Sequence, residues 1–135
     1  MANALYDHGR NEFLEGDLDW TSHDIRMVLL DDANHTTDQA ADDNLDDIAA
    51  NARVDTSGSF GSKTAAAGVA DAADVTFNTV TGAVSEELVI FYHTGTESTS
   101  TLIVNIDTAT GLPVTPNGGD ITVQWDSGAN KIFKL

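Results

Sequence analysis

The stretch that decides the fold is Glu86-Glu-Leu-Val-Ile-Phe-Tyr-His93, in which residues 88–92 are all apolar or aromatic. A short run rich in β-branched and aromatic side chains is typical of a strand. Because no polar residue interrupts the run, we expect both faces of this strand to be buried. We therefore place it at the centre of a sheet.

Further strands are predicted on both sides of this segment. Residues 24–30 have apolar side chains on both faces and predict a second strand that is buried on both sides. In residues 120–126, Ile121, Val123 and Trp125 alternate with polar residues, which predicts a strand with one buried and one solvated face. The remaining predicted strands cover residues 69–80, 101–107 and 131–135, with a weaker one at 53–57.

Two helices are predicted in the first third of the chain. Asn3 can cap an amphipathic helix that ends at Gly16, and we expect it to bury three apolar side chains against a sheet whose core includes Ile90, Val104, Val123 and Trp125. Those three side chains are Leu5, Phe13 and Leu14. Residues 37–48 predict a short, solvated helix, with a thin apolar stripe (Ala40, Ala41, Leu45 and Ile48) and a face made of Asp42, Asp43, Asp46 and Asp47.

These elements predict an α+β fold. The chain of 135 residues is long enough for one core, so we expect a single domain over residues 1–135. In it, the N-terminal helix and the short acidic helix pack on a mainly antiparallel β-sheet or β-sandwich. Residues 126–130 are interpreted as the turn of a closing hairpin, and residues 113–119 as a loop.

The charge of the chain excludes several classes of partner. Asp and Glu number 22 against 6 Lys and Arg, which gives a formal net charge of −16. A binder of nucleic acid or of an anionic membrane needs clustered cations, so neither class is expected. There is no apolar run of membrane-spanning length and no leader pattern at the start of the sequence, so neither a membrane span nor a cleaved signal is predicted. Such acidity, with only three lysines, is typical of proteins from halophiles that accumulate salt, and the alternative is that the charge only keeps the protein soluble.

No motif predicts catalysis. Asp126-Ser-Gly matches the triplet of aspartic proteases, but a turn explains the same residues better at this position in the chain. Gly61-Ser-Lys-Thr has Ser62 where a phosphate-binding loop has glycine. The chain has no cysteine, and its four histidines share no metal-ligand spacing. We therefore expect no catalytic residue, no cofactor, no metal site and no enzyme.

The last nine residues differ from the rest of the chain. Residues 127–135 contain two lysines and no acid, so they carry +2 while the other 126 residues carry −18. Two interpretations remain open: a closing strand whose lysines pair with the domain's own carboxylates, or a docking edge for an acidic partner. In the second, the candidate capsid or oligomer interface is Lys131, Ile132, Phe133, Lys134 and Leu135.

Several segments resemble a family of small virion structural proteins encoded by tailed phages, and together they reach from one end of the chain to the other. They are Met1-Ala-Asn-Ala-Leu-Tyr-Asp-His-Gly-Arg10, Phe13-Leu14, Gly16-Asp17, Asp19-Trp20, residues 25–31, residues 68–77, residues 94–99 and residues 106–135. Residues 38–47 are more acidic than the family pattern, which fits a virus of a halophilic host. The resemblance implies a structural role in the virion and brings no catalytic residues with it.

Within the virion, the small size and β-rich composition favour a capsid decoration or cement protein. The alternatives are a small tail or neck protein of the head–tail connector region, or a host-encoded binding module derived from an integrated phage. The expected partners are the major capsid protein or other virion proteins, together with further copies of the chain in a homo-oligomer, for which a trimer is favoured. The expected location is the capsid surface of a particle assembled in the host cytoplasm.

Overall fold

A five-stranded antiparallel sheet forms the centre of the protein in the computed structural model, which describes residues 3–135. Its strand order is β1-β8-β7-β2-β3. The bounds are β1 Ala4–Leu5, β2 Ile25–Leu30, β3 Arg53–Thr56, β7 Glu87–Tyr92 and β8 Leu102–Ile106. Strand β7 lies in the middle, so the central position predicted for residues 88–92 is confirmed.

The two central strands are buried on both faces, as predicted. Strand β2 pairs with β7 along its whole length, from Ile25 opposite Tyr92 to Leu30 opposite Glu87. Alternate side chains belong to two apolar clusters, one containing Met27 and Ile90 and the other containing Val28 and Phe91. Two-sided burial explains why these strands read as continuous apolar runs.

Two smaller sheets contribute to the larger of these clusters. One has the order β10-β5-β4, and the other pairs β6 with β9. Their bounds are β4 Thr64–Ala66, β5 Val69–Asp71, β6 Val75–Phe77, β9 Ile121–Val123 and β10 Phe133–Lys134. The other face of the central sheet is covered by Tyr6 and by residues from the segment 45–52. The predicted fold, α+β with a mainly antiparallel β core, is confirmed.

The strand predicted over residues 69–80 is divided between these two smaller sheets. Residues 72–74 lie between β5 and β6. The indole Nε1 of Trp20 donates to the Asp71 carbonyl at 3.1 Å, and that of Trp125 donates to the Ala73 carbonyl at 3.0 Å. Two side chains thus satisfy backbone oxygens at the point where the chain leaves one sheet for the other.

The N-terminal helix α1 covers Asp7–Glu15, and Gly16 ends it with a φ of 82°, as the sequence predicted. Its predicted start was wrong, because Leu5 belongs to β1 and Tyr6 is the N-cap residue. The side chain of Asn3 instead accepts hydrogen bonds from the backbone N–H groups of Asp107 and Thr108, both at 2.9 Å. Asn3 therefore joins the chain start to the end of β8.

The predicted burial of Leu14 was also wrong, because 80% of this residue is exposed. Gly9 faces β8 so closely that an added Cβ would lie 2.5 Å from the Leu102 carbonyl oxygen. Phe13, four residues later, shares that face and packs on the core, as predicted. Leu14 follows about 100° further around the helix and so points to solvent.

The acidic segment 37–48 contains one short 3-10 turn, Leu45–Asp47, in place of a longer helix. Aspartate side chains compete for the backbone donors that a helix would use. A carboxylate oxygen of Asp42 accepts from the Asp38 N–H at 2.9 Å, and one of Asp47 accepts from the Asp43 N–H at 2.8 Å. Asp42 is buried, so the prediction of a fully solvated aspartate face was wrong at that residue.

Candidate functional site: the terminal strand and its two grooves

Two of the five predicted site residues, Phe133 and Lys134, form β10, an edge strand of the three-stranded sheet. Phe133 pairs with Ala70 and Lys134 with Val69, while the N–H of Leu135 donates to the Gly68 carbonyl at 2.8 Å. The hairpin predicted through residues 126–130 was wrong, because β9 pairs with β6 whereas β10 pairs with β5. Residues 126–130 instead carry the chain from one small sheet to the other.

Phe133 anchors the terminal strand in the protein. Its ring packs edge-on against Trp20 with centroids 5.3 Å apart, and lies 6.0 Å from the ring of Phe13. Ile132 and Phe133 are half-buried against the main core, whereas 57% of Leu135 is exposed. Part of the predicted interface is therefore core, and Leu135 is its exposed apolar member.

The two lysines of the segment have different environments. The Lys131 ammonium lies 2.9 Å from Asp71 Oδ2, and this hydrogen bond holds the pKa of the Asp71 carboxyl below its usual range. Lys134 is exposed, and within residues 3–135 no carboxylate forms an ion pair with it. Lys131 therefore pairs with one of the domain's own carboxylates, as the first interpretation of the terminal segment expects, and the docking interpretation stays a prediction.

A groove of about 830 Å³ lies along one side of the terminal strand. We call it the cationic groove. Residues of three strands that each lie at the edge of a sheet, β1, β9 and β10, line it. Its buried apolar wall includes Val104 and Ile106, and its charged lining residues are Arg10, Lys131, Lys134 and Asp126.

The charge of this groove differs from that of the whole chain. It collects three of the six Lys and Arg residues and one of the 22 Asp and Glu residues, so its lining sums to +2. Asp7 pairs with Arg10 and Asp71 with Lys131, so the groove with these two partners is neutral. The local charge of this region is therefore much less negative than expected for a chain of net charge −16. Most of the surface repels an anionic ligand, so a neutral region is where such a ligand meets the least repulsion.

A second groove, of about 400 Å³, also has Phe133 in its lining. We call it the apolar groove, and its lining includes Phe13, Leu18, Trp20, Val69, Phe133 and Leu135. Among residues 3–135, the large hydrophobic side chains classed as exposed are Leu14 and Leu135. Leu135 lines this groove, and Leu14 follows Phe13 in sequence.

The structure also brings together carboxylates that the sequence analysis did not single out. Oxygens of Asp31, Asp32 and Glu86 lie within 4.8 Å of one another. Asp31 accepts hydrogen bonds from the Ala33 N–H at 3.0 Å and the Asn34 amide at 2.7 Å, and Glu86 accepts from the Asp32 N–H at 3.1 Å. These carboxylates cap the turn that follows β2. No local spacing could reveal this group, because Glu86 is 54 residues from Asp32.

Behind that turn lies a buried polar cluster. One oxygen of Glu87 accepts hydrogen bonds from the Thr37 hydroxyl at 2.7 Å and from the Asn105 amide at 2.6 Å. The hydroxyl of Tyr6 faces Thr37 and Asn105, but no described atom is in hydrogen-bonding geometry with it. Burial raises the pKa of Tyr6 well above its ordinary value.

The lysine, histidine and aspartate residues that the sequence analysis considered for catalysis or ligand binding make the following contacts in the structure. Thr64, at the end of the Gly61-Ser-Lys-Thr stretch, begins strand β4, and Lys63 donates to the His23 carbonyl. His23 stacks on Tyr92 with ring centroids 4.3 Å apart, and His35 lies 2.9 Å from Asp42. Asp126 is exposed and lines the cationic groove.

No protein-family model matches the chain, and no curated protein matches it. Over the described residues 3–135, no helix combines the length and apolar character needed to cross a bilayer. The resemblance to small virion proteins therefore remains a prediction made from the residues.

Proposed function

We propose that this chain is a structural virion protein that decorates the assembled head of a tailed virus and stabilises it. The end-to-end resemblance described above supports a virion role. Decoration proteins stabilise a shell by mass action, since they bind the assembled state and not the free subunits. Such a role needs a docking face on a stable domain and no catalytic group.

The observation that carries the proposal is the cationic groove beside the terminal strand. Three of six basic residues meet there, next to buried apolar side chains, in a chain of net charge −16. An acidic shell would repel most of this protein's surface, so attachment requires a local face that lacks this excess negative charge. Lys134, which has no ion-pair partner in the described chain, supplies the uncompensated cation.

The proposal includes a halophilic setting. At molar salt the Debye length falls to about 3 Å, so repulsion between distant carboxylates vanishes while contacts at hydrogen-bond range persist. Apolar burial also strengthens in salts that are excluded from protein surfaces. We expect the melting temperature to rise between about 0.1 and 3 M KCl. A flat or falling melting temperature over that range would count against the halophilic part of the proposal.

We further propose that the protein forms a homo-oligomer. A trimer is favoured because a threefold-symmetric oligomer can make the same contacts with all three shell subunits around a threefold position. The apolar groove supports this part. Leu135, which lines the groove, is 57% exposed. A second copy presents the same exposed leucine, so association of copies at this groove would remove Leu135 from water.

Quantitative mass spectrometry of purified virions tests the proposal through the copy number of this chain. A decoration protein is expected at on the order of hundreds of copies per particle, because it repeats with the shell lattice. About 5 to 12 copies would instead indicate the alternative role in the neck or tail. Absence of the chain from purified particles would contradict a virion role altogether.

A further inference from the structure

We propose that the cationic groove binds an extended acidic segment of a partner virion protein, in which carboxylate and apolar side chains alternate. This inference rests on the proposed function, since it names the partner chemistry of the same docking face. It is argued from the charge, the shape and the apolar wall of the groove.

The strands that border the groove favour an extended occupant. Strands β1, β9 and β10 each lie at an edge of their own sheet and contribute residues to the lining. Edge strands are the elements to which extended polypeptides add, through backbone hydrogen bonds. A groove bordered by three such edges therefore fits an extended chain better than a helix.

The two kinds of side chain in the groove favour alternation in the occupant. Val104 and Ile106 are buried, whereas the side chains of Arg10 and Lys131 are 48% and 44% exposed. The apolar residues thus lie deeper, and the cations lie nearer to solvent. In an extended segment successive side chains point in opposite directions, so an alternating sequence directs its apolar side chains to the wall and its carboxylates to the cations.

Charge complementarity selects an acidic segment over a basic one. The lining includes Arg10, Lys131 and Lys134 against one acid, Asp126. Asp7 and Asp71 already occupy Arg10 and Lys131. Lys134 is therefore the cation expected to attract an incoming carboxylate most strongly, and it is the position to test.

The binding test uses a fluorescein-labelled ten-residue peptide of alternating Asp and Val, titrated in about 2 M KCl and followed by fluorescence anisotropy. A block peptide, five Asp followed by five Val, has the same composition without the alternation. We expect saturable binding of the alternating peptide and at least about fivefold weaker binding of the block peptide. Equal affinity for both peptides, or no saturable binding of the alternating one, would overturn the inference.

Two charge variants locate the binding. Lys134→Glu should weaken binding of the alternating peptide at least about tenfold, and Lys134→Arg should stay within about twofold of the original protein. The matched control is the double variant Ala50→Glu and Ala83→Glu, which lowers the net charge by the same two units at exposed positions outside the groove. If this control weakens binding as much as Lys134→Glu does, peptide affinity depends only on the net charge of the protein, and the groove is not the binding site.

Light scattering of the same variants shows whether the occupant of the groove is a partner protein or a second copy of this chain. Lys134→Glu should leave self-association unchanged, and a loss of self-association would make another copy the occupant and overturn the inference. The inference and the proposed function can fail separately. If the protein binds the peptide but is absent from purified virions, the virion role is rejected and this inference is not. If the protein is abundant in virions but does not bind the peptide, this inference is rejected and the virion role is not.

Discussion

The ring of Phe133, two residues before Leu135, packs edge-on against Trp20 with centroids 5.3 Å apart. The terminal strand is thus fixed to the first third of the chain, and its Phe133 lines both the cationic groove and the apolar groove. Removal of residues 132–135 would therefore damage the core together with the docking face. Point substitutions distinguish the two effects.

Phe133→Ala should lower the free energy of unfolding by about 1 to 3 kcal/mol, less than a fully buried phenylalanine because this ring is half-buried. The control is Leu135→Ala in the same segment, which should cost less than about 0.5 kcal/mol because most of Leu135 is exposed. Urea unfolding in about 2 M KCl measures both. Equal effects of the two substitutions would mean that Phe133 is not an anchor.

Gly9→Ala should destabilise the protein by about 1 to 3 kcal/mol, although alanine is normally the better helix former. An added Cβ would lie 2.5 Å from the Leu102 carbonyl oxygen and 3.1 Å from the Ile103 Cα, so helix α1 would have to move away from β8. Gly61→Ala is the matched control, because nothing lies within 4 Å of the position that its Cβ would take. Thermal melts should show a lower melting temperature for Gly9→Ala alone, and a stabilised Gly9→Ala protein would contradict the packing of α1.

Neighbouring residues of α1 should respond differently to truncation. Phe13→Ala should cost about 1 to 3 kcal/mol, since the ring packs on the core, whereas Leu14→Ala should cost less than about 0.5 kcal/mol. Leu14 is not part of the apolar groove's lining, so Leu14→Ala should also leave self-association unchanged if that groove is the oligomer contact. Urea unfolding and light scattering together check both expectations, and a monomeric original protein at concentrations up to about 100 μM would restrict the oligomer to the virion surface.

Asp19 should contribute to acid sensitivity. Hydrogen bonds from the Thr21 and Ser22 side chains and backbones lower its pKa from 3.8 to about 2. Because the folded-state pKa lies below the unfolded one, the stabilisation is present above the unfolded pKa and is lost as the pH falls through the folded value. Asp19→Asn should therefore reduce stability at about pH 6, and its difference from the original protein should shrink from about pH 4 towards about pH 2. A difference that stays constant over this range would show that ionisation of Asp19 is not responsible.

The main strands could be predicted from the sequence because burial on both faces leaves a clear pattern. Strands β2, β7 and β8 carry nearly continuous apolar residues, and all three lie within the predicted ranges. The two-residue strand β1 and the exposed strand β4 were missed, since neither is long enough or apolar enough to show a period. The acidic segment misled the helix prediction because its aspartates bond to the backbone locally.

The candidate site was predictable only in part. The terminal residues stood out by charge alone, and Lys134 remains without an ion-pair partner in the described chain. The other walls of the cationic groove come from Arg10 on α1, Val104 on β8 and Val123 on β9, which only the tertiary fold brings together. No pattern of residues near the end of the chain could indicate that Lys131 pairs with Asp71, 60 positions away.

The most direct test of attachment through the terminal strand is zero-length cross-linking of purified virions with a carbodiimide, which joins a lysine amine to a carboxylate in contact with it. The chain offers three lysines for comparison: Lys63, Lys131 and Lys134. We predict that mass spectrometry finds Lys134 joined to an Asp or Glu of a different virion protein, while Lys63, which donates to the His23 carbonyl, forms no such link. Cross-links to another virion protein through Lys63 alone would contradict attachment through the terminal strand.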